Sequence, residues 1–147
     1  MASPLKTLVA YLEAFEQAYT SDNWNLIDPY FSADASYRVD GGPPFSGHWP
    51  SLEGIKTQFK TILDEFDRRF DERIPELLGR PKLKEDAILF EWKATYKLAG
   101  APDFVLVGKS AAHMRDGQIC ELIDFISPED CLAGANYLLR WREKLKP

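Results

Sequence analysis

The chain has only two cysteines and two histidines in 147 residues. Cys120 and Cys131 have neither metal-ligand spacing nor further cysteine partners, which argues against a disulfide framework. They read as reduced thiols in a cytoplasmic protein, with buried packing the expected role of Cys120. His48 and His113 lack the His-plus-carboxylate spacing of a zinc site, so neither a metal nor a cofactor is expected. Basic residues are also in deficit: 18 against 23 acidic ones leave a net charge of -5, which repels phosphate backbones and anionic membranes. The Arg68-Arg69 pair is cancelled by Asp67 and Asp71 on either side. No apolar run approaches the length needed to span a bilayer, and no charged start followed by an apolar stretch marks a signal peptide. Gly108-Lys109-Ser110 is not a phosphate loop, because Asp103 stands where the required earlier glycine would be and the context is a strand.

What is abundant is apolar surface. With 45% hydrophobic and 13% aromatic residues the chain can bury a real core, and its length predicts a single domain over 1–147. Leu5, Leu8, Val9, Leu12, Phe15 and Tyr19 recur at helical spacing, which predicts an amphipathic helix over about residues 4–20. Thr20-Ser21-Asp22 offers a stop and a new start, and Trp24, Ile27, Tyr30 and Phe31 mark a short second helix. A short strand carrying Tyr37 and Val39 ends at Asp40, because Gly41-Gly42-Pro43-Pro44 must turn the backbone. Ser51 can cap a third helix whose apolar stripe (Ile55, Phe59, Ile62, Leu63, Phe66, Phe70) runs to about residue 71. From residue 75 the period becomes alternating. Ile88, Phe90, Trp92, Ala94, Tyr96 and Leu98 share one strand face, Phe104 to Met114 form the next strand, and Asp116-Gly117 signals a type I′ hairpin into Ile119 to Ile126. Ser127-Pro128-Glu129-Asp130 starts a C-terminal helix supported by Leu132, Leu138, Trp141 and Leu145, over about residues 128–145. Helices first and then a mainly antiparallel, strongly twisted sheet define the α+β class.

Candidate chemistry gathers at three places. Asp40, at a strand end beside a rigid turn and ringed by apolar residues, is either a proton shuttle or a turn cap. Unbroken pairing from the Asp116-Gly117 turn sets Arg115 opposite Gln118, His113 opposite Cys120 and Lys109 opposite Asp124. His113, Ala111, Lys109, Cys120, Leu122 and Asp124 then share one face, while Phe104, Leu106, Ile123 and Phe125 share the other. Lys109–Asp124 is on this register either a tuned acid/base pair and ligand anchor or a structural cross-strand pair. His113 is either a hydrogen-bonded core histidine or a base. His48 lies in a loop beside Trp49 and Pro50. Phe59, Phe66, Trp92 and Tyr96 are core residues that would, as a pocket wall, favour a flat apolar ligand.

The order of elements, with Tyr30-Phe31-x-x-Asp34-Ala35, Gly54-Ile55 and Asp116-Gly117-Gln118-Ile119, resembles the nuclear transport factor 2-like superfamily over about residues 5–127. Within it the chain resembles the SnoaL-like branch. The resemblance implies a conical α+β barrel with an apolar pocket and a homodimer through the outer face of the sheet. It also makes the Lys109–Asp124 face the pocket face. Superfamily members include isomerases, polyketide cyclases, epoxide hydrolases, dehydratases and non-catalytic binding domains, so fold does not settle function. Asp40 matches the general base of the ketosteroid isomerases, whose oxyanion hole pairs a Tyr with a protonated Asp. Here Phe15 stands where the helical Tyr falls and Ala111 to His113 where the Asp falls. Half the machinery is absent unless Tyr11, Tyr19 or His113 substitutes. Asp124 resembles the last-strand Asp of the limonene-type epoxide hydrolases, but Trp92 and Ala94 occupy the positions of its Arg and Asp partners. The expectation is an apolar-ligand pocket protein, an isomerase or cyclase that shifts a proton next to a carbonyl. Asp40, His113 and Asp124 would be its catalytic groups, and Phe15, Tyr19, Phe59, Trp92, Tyr96, Lys109 and Leu122 its ligand contacts. A non-catalytic binding protein or a dimeric interaction domain of the same fold is the alternative.

Overall fold

In the computed structural model, which describes residues 3–147, the first helix, α1 (Pro4–Ser21), begins under a side-chain cap. Ser3 Oγ accepts the Lys6 amide at 3.2 Å, with Pro4 at the first helical position. It ends at Asp22, in the left-handed region at φ 61°. Trp24–Tyr30 then form a 3-10 helix that contains Pro29. Strand β1 (Phe31–Asp40) leads through the Gly/Pro turn to the short strand β2 (Gly47–Trp49). Helix α2 (Leu52–Glu65) starts where Ser51 Oγ accepts the Gly54 amide, and buries Ile55, Phe59 and Leu63 at four-residue intervals. It stops short of residue 71, and Asp67–Arg69 form a separate 3-10 turn.

Four longer strands follow: β3 (Glu72–Lys84), β4 (Ala87–Lys97), β5 (Phe104–Arg115) and β6 (Gln118–Ile126). The six strands form one open sheet in the order β2-β1-β6-β5-β4-β3. Neighbours are antiparallel except β1 and β6, which run parallel because the chain makes its whole excursion through α2 and the β3–β5 meander between them. Alternation along β4 buries Ile88, Phe90, Ala94 and Tyr96 as the sequence pattern requires. The C-terminal helix α3 (Pro128–Arg140) is capped by Ser127 Oγ on the Asp130 amide at 3.1 Å. It ends before residue 145, and Leu145 packs into the core from the turns that follow.

Residues 72–84 carry no clean strand pattern yet form β3. Pro75 and Pro81 lack amide donors and suit an edge position, and a shift of register between Leu78 and Lys82, at Gly79 with φ 68°, absorbs the mismatch.

The larger departure is in the β5–β6 hairpin. Asp116 and Gly117 have φ of 53° and 77°, as a type I′ turn requires, and Arg115 pairs with Gln118 as expected. Met114 then pairs with Ile119, but His113 pairs with Glu121, so Cys120 is the extra residue of a bulge. From there the register slips by one, and Ser110, not Lys109, lies opposite Asp124. A slip of one residue exchanges the faces of a strand. Phe104, Leu106, Ser110 and Ala112 are therefore buried inside, while Lys109 and His113 point outward. On β6 the expected faces hold, with Leu122 inside and Phe125 outside. Cys120 is half-buried, its thiol donating to the His113 carbonyl at 3.4 Å.

Candidate functional site

Helices α1 and α2 lie over the inner face of the sheet, and between them is a cavity of about 330 Å³. Its walls are mostly apolar and aromatic. Tyr11, Leu12 and Phe15 come from α1, Phe59, Ile62 and Leu63 from α2, and Phe90, Trp92, Ala94 and Leu122 from the sheet. The rings meet edge to face, with centroids 5.2 Å apart for Phe15–Phe59 and 5.1 Å for Tyr37–Phe59.

Asp124 is the carboxylate of the sheet wall. Its neighbours across the ladder are Val39 on β1 and Ser110 on β5, and Tyr37 stands two residues before Val39 on the same inner face. The Tyr37 hydroxyl donates to Asp124 Oδ2 at 2.6 Å, and the Ser110 hydroxyl donates to Oδ1 at 2.6 Å. Ser110 in turn accepts the indole N–H of Trp92 at 2.9 Å. That indole lies across Gly108, where a Cβ would come within 2.1 Å of the ring, so the close approach requires glycine. Burial pushes the Asp124 carboxyl above its ordinary range, although both hydroxyls favour its ionised form. The Tyr37 and Tyr11 hydroxyls are likewise raised well above theirs, first by burial and then by the charge of Asp124. Asp124 keeps some accessible surface, and it belongs to the cavity lining.

A second polar cluster closes another part of the wall. Asp67 Oδ2 accepts from the Tyr96 hydroxyl at 2.7 Å and lies 3.1 Å from Arg73 Nε. Arg73 Nη1 donates to Glu16 at 2.8 Å, and the guanidinium lies over the rings of Phe15 and Tyr19. Burial raises the Asp67 carboxyl, with Arg73 and Tyr96 opposing it.

Of the three expected catalytic residues, the cavity is lined by Asp124 alone. Asp40 is outward, because alternation along β1 sends Tyr37 and Val39 inward. Its side chain is half-exposed and pairs with Arg38 at 3.1 Å. His113 lies on the outer face, 3.8 Å from Glu121 and 3.9 Å from Asp86. Lys109, expected opposite Asp124, is also outside, 71% exposed and 3.8 Å from Glu91. Phe15, Phe59, Trp92, Tyr96 and Leu122 line the cavity, while Tyr19 stands behind it beneath Arg68 and Arg73. Tyr37, Ser110, Asp67 and Arg73 also belong to the wall, although none of them was expected as a site residue. Two carried a signal. Tyr37 is in phase with Val39, and Asp67 continues the Ile55–Phe59–Leu63 stripe of α2 as a carboxylate on an apolar row. Among the described residues no group of three or more His, Cys, Asp or Glu side chains is placed to hold a metal, and no helix is long and apolar enough to cross a membrane.

No family model matches the chain, and no curated protein matches it in sequence. Solved structures match it in fold. TerC, co-crystallised with polyporic acid, aligns at a TM-score of 0.68 and 14% identity over 91% of this chain and 99% of its own. An NTF2-like protein of unknown function from Burkholderia pseudomallei aligns at 0.68 and 11% identity over 91% of this chain and 98% of its own. A Catenulispora acidiphila protein of ketosteroid isomerase-like fold, in complex with trimethylamine, aligns at 0.62 and 18% identity over 86% of this chain and 92% of its own. The chain has the nuclear transport factor 2-like α+β fold, with N- and C-terminal helices and an open six-stranded mixed sheet.

Proposed function

We propose that this chain binds an apolar small molecule in the cavity, in the manner of the SnoaL-like branch, and that Asp124 exchanges a proton with the bound molecule next to a carbonyl, as an isomerase or cyclase does. The observation that carries this reading is a carboxylate set into an aromatic cavity wall with hydroxyl partners rather than a cation. Such a carboxyl is a stronger base than one held ionised by an arginine, because burial raises its pKa toward the working pH. Tyr37 and Ser110 hold one oxygen each, fixing the carboxylate plane while each oxygen retains a second lone pair for a proton. The neighbours that hold polyporic acid and trimethylamine support small-molecule binding on this fold. The test is deuterium uptake by a panel of apolar ketones in heavy water, followed by proton NMR. Wild type is expected to catalyse exchange and Asp124→Asn to lose it. Equal rates in both would remove Asp124 from the chemistry.

A non-catalytic binding protein is favoured by one fact: both Asp124 oxygens already have donors, as in an anchoring carboxylate. Saturable binding without exchange would select it. A second copy of the chain is the partner proposed for the outer face, where Val105, Val107 and Phe125 are exposed in a row on adjacent strands. Phe125→Lys is then expected to lower the mass seen by light scattering, and an unchanged mass would exclude that face.

A further inference from the structure

The charges of the cavity wall do not balance. Four carboxylates line it, from Glu16, Asp67, Glu76 and Asp124, against two cations, Arg73 and Lys93. Arg73 is taken up by Glu16 and Asp67, and Lys93 lies 3.2 Å from Glu76. Asp124 meets hydroxyls only among the described residues. A proton transfer from carbon to Asp124 would also leave an enolate with no uncommitted cation of this wall to face it. The tyrosines nearby can donate a hydrogen bond but hold their protons firmly.

We propose that the molecule brings the missing charge: the cavity takes a cation, an apolar carbonyl compound that carries an ammonium group close to the carbonyl. This rests on the reading of the cavity as a ligand site with Asp124 as its proton acceptor. Before reaction the ammonium pairs with the Asp124 carboxylate and lies among the rings of Tyr11, Tyr37 and Phe59, aromatic groups that can attract a cation. In the step itself Asp124 takes the proton from the carbon beside the carbonyl. The C–H electron pair becomes the new C=C bond, and the carbonyl π pair moves to oxygen. Asp124 becomes neutral as the enolate forms, so the ammonium exchanges one anionic partner for another and the site's net charge does not change. Return of the proton to carbon regenerates the carboxylate. No other reactant is needed.

The test uses two probes of the same shape, phenacyltrimethylammonium and neopentyl phenyl ketone, which differ by a quaternary nitrogen in place of carbon. Binding to the whole chain is measured by calorimetry, beside a neutral apolar fluorescent dye. The charged probe is expected to bind at least about tenfold more tightly, from ion pairing and ring contact together. In Asp124→Asn that advantage is lost while the neutral ketone still binds. Equal or tighter binding of the neutral ketone by wild type overturns the cation and leaves the cavity reading standing. Failure of both probes and of the dye overturns the cavity reading, and the inference with it. If the Asp124→Asn variant does not fold, the wild-type ratio is read together with nuclear Overhauser contacts from the N-methyl protons. Contacts to Tyr37 and Tyr11 are expected, and contacts confined to other residues overturn the assignment to Asp124.

Discussion

Replacing Asp124 by Asn should stabilise the fold at neutral pH while removing exchange activity. The carboxyl lies in the apolar cavity wall with no cation against it, so ionising it costs free energy that its two hydroxyl donors only partly return. Its pKa in the folded state therefore lies above the ordinary 3.8. The native state keeps this proton longer than the unfolded state, so folding is most favoured below that value. The contribution declines as pH rises through the unfolded and then the folded pKa, above which the loss is complete. The advantage of Asp124→Asn should be small in acid, grow through this window and level off above the folded pKa. A gain of about 1 kcal/mol is typical when a functional strain is relieved, which for a chain of this size raises Tm by about 3 °C.

Tyr37 supplies the internal control. Its ring packs 5.1 Å from Phe59 and is stacked 5.4 Å from Trp49, so Tyr37→Phe keeps the packing and removes only the hydroxyl. A hydrogen bond to a charged acceptor is worth about 1.5–3 kcal/mol and a neutral one about 1. Tyr37→Phe should therefore cost about 2 kcal/mol in the wild-type background at neutral pH. In the Asp124→Asn background, where the acceptor is a neutral amide, it should cost about 1, a coupling of about 1 kcal/mol. Urea unfolding of the four proteins at several pH values measures both. An Asp124→Asn variant less stable than wild type at neutral pH, with additive effects of the two substitutions, would refute a carboxylate held at a cost to the fold.

Three further outcomes follow from the same geometry. Gly108→Ala sets a Cβ within 2.1 Å of the Trp92 ring, and the indole must leave Ser110. The expected loss is about 1–3 kcal/mol, with a change in tryptophan emission, and an unchanged spectrum would contradict it. Arg73→Met strands Asp67 and Glu16 together. A buried pair broken on one side costs about 3–5 kcal/mol, and Asp67→Asn in the same chain should restore part of it in a thermal melt. Asp22, whose carboxyl is held down at about 2 by hydrogen bonds from Lys60, Trp24 and Arg68, gives stability that is present above its ordinary 3.8 and lost as pH falls through about 2. Asp22→Asn should flatten that acid limb in pH-dependent unfolding, since Asn also tolerates the left-handed backbone there.

Much of the fold was legible because its elements carry their own signals: the four-residue stripe of α2, the alternation of β4, the Asp116-Gly117 turn and the Ser127-Pro128 start of α3. Strand β3 was not, since two prolines and a glycine mask its period, and an edge strand tolerates all three. Part of the wall was legible too, in Phe15, Phe59, Trp92, Tyr96, Leu122 and Asp124. The outward position of Asp40 could also have been read. Tyr37 and Val39 set the inward phase of β1, and Asp40 is out of step with both.

What no local pattern announces is the bulge at Cys120, and the chemistry of the site turns on it. Without that extra residue Lys109 would face Asp124. A lysine there would hold the carboxylate ionised as half of a buried ion pair, its charge already spent within the protein. The slip by one brings in Ser110 instead, and sends Lys109 out to solvent beside Glu91. A hydroxyl can orient the carboxylate but cannot neutralise it, so burial is left to raise its pKa and its charge is left without a cation. The same two strands, with the same side chains, would carry a structural cross-link in one register and set an unpaired carboxylate into the cavity wall in the other.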